Sequence, residues 1–148
     1  MRKPEAVQIM TAVHIPEVGP AGIGVTTANA PANAISRVYD QSYGSAEYLE
    51  LRAILRALQL GRSLRAGSIS ILCPDETIAR IANREVSLEL GSPLVPIYMK
   101  IRALMYTFKL AEIRAVPRSR VEPARRLAIA ASRIPAQKPE PQRTLFAA

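Results

Sequence analysis

The sequence has little of several residue types, and each shortage excludes a class of protein. A single cysteine, Cys73, cannot form an intramolecular disulfide and cannot by itself hold a structural zinc ion. The opening residues, MRKPEAVQIMTAVHI, carry no apolar core of about 7 to 15 residues followed by a cleavage site, and no stretch of about 18 apolar residues occurs anywhere. We therefore expect neither secretion nor a membrane span, and we expect a cytoplasmic protein.

Acidic residues are scarce in the last third of the chain. Residues 1–99 hold nine Lys or Arg and nine Asp or Glu, whereas residues 100–148 hold 11 basic and three acidic residues, so the whole net charge of +8 lies in that last third. Such an asymmetry is typical of a protein with a polyanionic partner, nucleic acid first and an acidic membrane second. A basic surface that serves only solubility is the alternative.

The pattern of apolar residues predicts one α/β domain. Glycine and proline separate the first extended segments, which favours an antiparallel meander, whereas strands joined through helices should run parallel. We expect a mixed five-stranded sheet, three antiparallel strands then two parallel, with helices on both faces, in a domain of residues 1–133. Residues 134–148 are predicted to be an unpacked Pro-rich tail. Strands are expected at 6–14, 22–27, 35–40, 68–73 and 111–116, and helices at 45–61, 75–85, around 97–108 and from Pro123.

The segment SAEYLELRAILRALQLG places an acid among apolar residues of a helix. At about 100° per residue, Leu51 and Leu58 lie within about 80° of Glu47, which predicts that this carboxylate lies in the middle of the buried face. The helix dipole favours an acid in the first turn but does not explain that direction. Ser45 and Gly61 are the expected N-cap and C′ residues.

The order of elements and four stretches of sequence resemble the type 1 ribonuclease H family, particularly its compact bacterial and archaeal form. The stretches are GPAGIGV (19–25), AEYLELRAILRALQLG (46–61), SPLVPIYMKIRALMYTF (92–108) and VPRSRVEPARRLA (116–128). The resemblance covers roughly residues 6–133. It implies a ribonuclease H-like fold and cleavage of the RNA strand of RNA–DNA hybrids with two magnesium ions, which need several carboxylate ligands.

Two of the family's four acids have counterparts in this chain. By resemblance, Glu47 and Asp75 are the catalytic and metal-ligating positions, although Asp75 is also a suitable helix N-cap. Ala12 and Arg125 stand where the resemblance implies two further aspartates. We hypothesise that the Arg125 guanidinium pairs with Asp75 or Glu47 in place of a metal charge. The cofactor expected is therefore none, or a weakly bound Mg²⁺ or Mn²⁺. The nearby groups that could substitute for the missing acids are His14, Glu17 and Glu122.

Basic and aromatic residues indicate a nucleic-acid surface, with an RNA–DNA hybrid or another duplex as the expected partner. The arginines of the last third could instead form a solvated basic face, and Tyr43 could instead pack against the sheet edge. The tail segment QRTLF resembles the short peptide by which bacterial replication and repair proteins bind the sliding clamp, through Gln142, Leu145 and Phe146. The predicted nucleic-acid contacts are Arg114, Arg118, Arg120, Arg125, Arg126, Arg133 and Tyr43.

Three functional hypotheses follow. The leading one is a ribonuclease H-like protein that binds nucleic acid and has lost its two-metal hydrolytic site. The second is a working metal-dependent ribonuclease H with substituted ligands. The third is a structural adaptor in a nucleoprotein complex.

Overall fold

The computed structural model describes residues 6–28, 33–38 and 45–133. Its strands form one sheet in the order β3-β2-β1-β4-β5, in which the β1–β2 and β2–β3 pairs are antiparallel and the β1–β4 and β4–β5 pairs are parallel. The strands are β1 (Ala6–His14), β2 (Ala21–Thr27), β3 (Asn33–Val38), β4 (Ser68–Cys73) and β5 (Leu110–Ala115). The predicted mixed five-stranded sheet is confirmed, with boundaries shifted by one or two residues in β2, β3 and β5.

In the described part of the chain, four α-helices connect or follow these strands. They are α1 (Ala46–Ser63), α2 (Glu76–Ala82), α3 (Val95–Met105) and α4 (Glu122–Arg133), and a 3-10 turn at Arg118–Val121 leads into α4. The predicted N-caps are confirmed, because Ser45 Oγ accepts from the Tyr48 amide and Asp75 Oδ1 from the Ile78 amide, each at 3.1 Å. No helix in the described part of the chain is long and apolar enough to cross a membrane.

The predicted role of Gly61 as a C′ residue is wrong. Helix α1 continues to Ser63, and the left-handed residue that follows the helix is Arg65, with φ of 59°. Gly61 is instead a point of close packing, since a Cβ there would lie 2.5 Å from Ile69 Cδ1 on the sheet. A glycine near a helix end therefore provides space here rather than conformational freedom.

The sheet has helices on both faces, as predicted, and the two faces bury different cores. Val7 and Ile9 of β1 belong to the larger core, which also contains the buried residues of α1, α2 and α3. Met10 and Ala12 of the same strand point the other way, into a small cluster with buried residues of α4. This alternation follows from the two-residue repeat of a strand. The end of the sheet where the predicted site lies is thus enclosed by α1 on one side and α4 on the other.

Helix α4 packs unusually close to strand β2. A Cβ on Gly22 would overlap the carbonyl oxygen of Ala128, and one on Gly24 would overlap the carbonyl oxygen of Ala124. Both alanines are fully buried. The pairing of glycines on the strand with alanines on the helix lets the two backbones approach, and this contact fixes the position of the arginine-bearing helix.

Asn83, which follows α2, closes the outer edge of β5. Its side-chain amide donates to the Ile113 carbonyl oxygen at 2.7 Å, and its side-chain oxygen accepts from the Ile113 amide at 3.2 Å. Both backbone groups of Ile113 are thereby satisfied by a side chain rather than by another strand. The edge is protected at this residue from pairing with a foreign strand.

The contact between α4 and β2 predicts a large effect of one methyl group. Gly24→Ala should lower the free energy of unfolding by about 3 kcal/mol or more, because the neighbouring atoms are helix backbone and cannot rotate away. Gly91→Ala is the matched control, since a Cβ there meets nothing within 4 Å. Urea denaturation of the two variants measures the difference, and equal stabilities would contradict the packing described.

Candidate functional site

The acid on the buried face of α1 is Glu50, and the prediction that Glu47 occupies the middle of that face is wrong. Glu47 is exposed in the first turn of the helix. The prediction was based on residues such as Leu51 and Leu58, but the buried face also includes Leu49, Ala53 and Ala57. At about 100° per residue, these three move the centre of the face to the direction of Glu50.

Glu50 has the surroundings of a perturbed carboxyl group. Its Oε1 is buried and has no hydrogen-bond partner among the described residues. The pKa of Glu50 is raised from 4.5 to about 7, chiefly by burial and also by the nearby charge of Asp75, while the charge of Arg118 acts in the opposite direction. Two acids and one arginine thus lie near each other where α1, the end of β4 and the 3-10 turn meet.

Asp75 lies just past the carboxyl end of β4, where ligands bind in open α/β sheets. One of its carboxylate oxygens caps α2. The neighbouring thiol of Cys73 donates to the Asp75 carbonyl oxygen at 3.4 Å, and burial raises the pKa of Cys73 to about 11. The thiol is therefore protonated at neutral pH, a state in which it is a poor nucleophile.

Ala12 and Arg125, which the resemblance places opposite these acids, differ in their surroundings. Ala12 is 3% exposed, within the apolar cluster that holds Val121 and Ala124. Arg125 is exposed, and its Nη1 lies 3.5 Å from Glu122 Oε2. The hypothesis that Arg125 pairs with Asp75 or Glu47 is therefore wrong, because Glu122 lies one helical turn away on the same face of α4. The arginine whose charge acts on Glu50 is Arg118, which lowers the pKa of that carboxyl group.

The described residues do not fit a pair of metal ions. They contain no group of three or more His, Cys, Asp or Glu side chains placed to hold one ion. Among the proposed substitutes, Glu17 is exposed in the β1–β2 loop, and Glu122 already contacts Arg125 and Arg126, at 3.5 and 3.8 Å. Two close divalent cations require more carboxylate oxygens than Glu50 and Asp75 supply.

The six predicted arginine contacts are all exposed, and we name this set of side chains the arginine surface. Only Arg125 and Arg126 among them form an ion pair within the described part of the chain, and they share Glu122. Tyr43, Gln142, Leu145 and Phe146 lie outside the described residues, so the predictions about them stay predictions. The members of the arginine surface are Arg114, Arg118, Arg120, Arg125, Arg126 and Arg133, all exposed.

The raised pKa of Glu50 predicts a pH-dependent gain in stability for Glu50→Gln. The folded pKa exceeds the unfolded one, so folding binds a proton, and the free energy of unfolding falls as the pH rises from about 4.5 to about 7. The variant should match the parent at pH 4 and exceed it at pH 8 by on the order of 3 kcal/mol. Denaturant titrations at both pH values measure this. Glu47→Gln, exposed on the same helix, is the control; equal gains for both would contradict the burial of Glu50.

Solved structures share this fold. Ribonuclease H1 from Halobacterium salinarum has a TM-score of 0.74 at 18% identity, covering 85% of this chain and 96% of that one. The N-terminal ribonuclease H domain of rv2228c from Mycobacterium tuberculosis has a TM-score of 0.68 at 22% identity, covering 97% and 99%. LC11-RNase H1, solved in complex with an RNA/DNA hybrid, has a TM-score of 0.73 at 18% identity, covering 85% and 96%.

Sequence comparison identifies the family. No curated protein matches the chain significantly by sequence. A family model described as reverse transcriptase-like matches residues 12–131. The matched residues include α1, β4, most of α4, and both Glu50 and Asp75. With the fold shared by the ribonuclease H structures, this match shows that the chain belongs to the reverse transcriptase-like family of ribonuclease H-like proteins.

Proposed function

We propose that this protein binds nucleic acid through the arginine surface and does not hydrolyse it by the two-metal mechanism. The observation that carries the proposal is the state of the six arginines. All are exposed, and within the described residues only Arg125 and Arg126 have a carboxylate partner. Unpaired guanidinium groups on one segment of chain are suited to phosphate oxygens, which they can bind in a bidentate way.

The fold explains why these arginines remain available. Helix α4 buries Ala124, Ala128 and Ala131 against the sheet, so the intervening residues Arg125 and Arg126 point away from it. The structural neighbour LC11-RNase H1 was solved with an RNA/DNA hybrid, which makes a hybrid or another duplex the first ligand to test.

Loss of hydrolysis is supported by the donor set. Ala12 offers no oxygen ligand, and Arg125 brings a positive charge where the resemblance implies an acid. Glu50 and Asp75 then remain as two carboxyl groups near each other, which is fewer than a pair of divalent cations requires.

One observation favours a second candidate, a metal-dependent nuclease with substituted ligands. Glu50 brings a carboxyl group near Asp75 at the carboxyl end of β4, which the sequence prediction did not anticipate. Incubation with an RNA–DNA hybrid and Mn²⁺ separates the two functions. We expect intact RNA; cleavage that Glu50→Gln or Glu47→Gln abolishes would establish the nuclease instead.

Binding through the arginine surface predicts a specific salt dependence. The double variant Arg125→Gln/Arg126→Gln should bind an RNA–DNA hybrid more weakly, and the slope of log affinity against log salt should fall by about 2, one unit for each lost phosphate contact. Fluorescence anisotropy across a salt series measures both quantities. Arg62→Gln/Arg65→Gln, which removes the same charge from the exposed end of α1, is the control. Affinity that is independent of salt would favour the adaptor hypothesis.

A further inference from the structure

A cleft between α1 and α3 has the lining of an anion site. It has a volume of about 320 Å³ and lies on the face of the sheet opposite α4, so it is separate from the arginine surface. Arg52 and Lys100 bring positive charge from the two helices, and Tyr48 brings an aromatic ring. Among the described residues no carboxylate lines the cleft. Its lining consists of Tyr48, Arg52, Leu55, Pro93, Pro96, Ile97 and Lys100.

The positive charges in and beside this cleft have no counterion among the residues that the structure describes. Arg56 lies one turn after Arg52 on α1, and both side chains are half-buried. The Arg56 guanidinium donates to Gln59 at 3.2 Å, while its Nε is buried with no partner in the described part of the chain. Neither arginine, nor Lys100, forms an ion pair with a described residue.

Like charges four residues apart on a helix destabilise each other, and partial burial weakens the solvent screening that would relieve them. On helices α2 and α4, by contrast, Arg80 is offset by Glu76 at 2.8 Å and Arg125 by Glu122 at 3.5 Å, each about one turn away. The α1–α3 cleft has the opposite arrangement. An anionic ligand would remove the repulsion and give Arg52 and Lys100 their missing partners.

The apolar part of the cleft limits what kind of anion fits. Leu55 and Ile97 form an apolar floor, the two prolines are rigid, and Tyr48 offers a flat ring. The volume is at the small end of the range for ligand pockets, about 300 to 1,000 Å³. A flat organic group that carries a phosphate therefore suits the cleft better than a bare inorganic anion.

We propose that the α1–α3 cleft binds one nucleotide, with its phosphate on Arg52 and Lys100 and its base against Tyr48 and the prolines. The nucleotide is either free or part of a single strand, because both sources present the same phosphate and the same aromatic base. This site goes beyond the proposed duplex binding, since it lies on the other face of the sheet and uses different residues.

Calorimetry with adenosine 5′-monophosphate and with a short oligothymidylate tests the site in the full-length protein. We expect one site per chain, with affinity that falls as salt rises. Arg52→Gln and Lys100→Gln should each weaken binding about tenfold, the effect of one lost charge-assisted hydrogen bond. Arg52→Lys, which keeps the charge, should retain part of the affinity and keeps the test valid if Arg52→Gln folds poorly.

Arg62→Gln, on the same helix but outside the cleft, is the matched control and should bind like the parent. Binding of the monophosphate points to a free nucleotide, and binding of the oligonucleotide alone points to a single strand; in either case dependence on Arg52 supports the site. The absence of binding to both probes, or affinities unchanged in Arg52→Gln and Lys100→Gln, would overturn it. The Arg125→Gln/Arg126→Gln variant should bind the monophosphate like the parent even where it loses affinity for longer nucleic acids, so failure of the duplex-binding proposal is distinguishable.

Discussion

The close contact between α4 and β2 determines how this protein presents its charge. Glycines at two alternate positions of the strand allow the helix backbone to lie against the sheet, and small alanines complete the contact. A helix held on such a narrow face exposes most of its circumference. Arginines can therefore occupy that circumference without burying charge, which would cost more than the packing gains. The same contact brings Val121 and Ala124 over Ala12, so the end of the sheet is apolar beneath α4.

On the opposite face, α1 places an acid in a position that costs stability. Glu50 lies on the buried side of its helix, close to Asp75; within the described ranges one of its oxygens has no hydrogen-bond partner, and the charge of Arg118 favours its ionised form. A buried carboxyl group without partners is seldom kept for stability alone, and perturbed groups concentrate at functional sites. Arg118 belongs to the arginine surface as well as to the surroundings of Glu50. A phosphate bound to Arg118 would thus weaken the attraction between Arg118 and the ionised carboxylate of Glu50.

The order of elements, the strand pairing and the N-caps of α1 and α2 could be predicted from the sequence because they depend on local chemistry. Glycine and proline mark the turns, Ser45 and Asp75 are good N-caps, and strands joined by helices run parallel. The direction of the acids on α1 could not be predicted in the same way. Residues such as Leu51 and Leu58 suggested a face centred on Glu47, whereas Leu49 and the two buried alanines move the centre to Glu50. Alanine is apolar enough to be buried and is also common on surfaces. The sequence alone therefore does not show whether an alanine lies on the buried or the exposed side of a helix, which depends on the elements that pack against the helix.

Arg125 shows the second limit of sequence reasoning. Alignment to a ligand position suggested that it would reach the acids, but its neighbours in α4 determine its direction. Buried Ala124 and Ala128 turn the helix so that Arg125 points outward, toward Glu122. The arginine near Glu50 is instead Arg118, from a 3-10 turn that has no strong sequence signal. A positive charge thus acts on Glu50, but it comes from the segment that leads into the helix rather than from Arg125. That segment contacts both β1 and β4, and Asp75 follows β4, so the fold itself brings Arg118 to the end of the sheet where Glu50 and Asp75 lie.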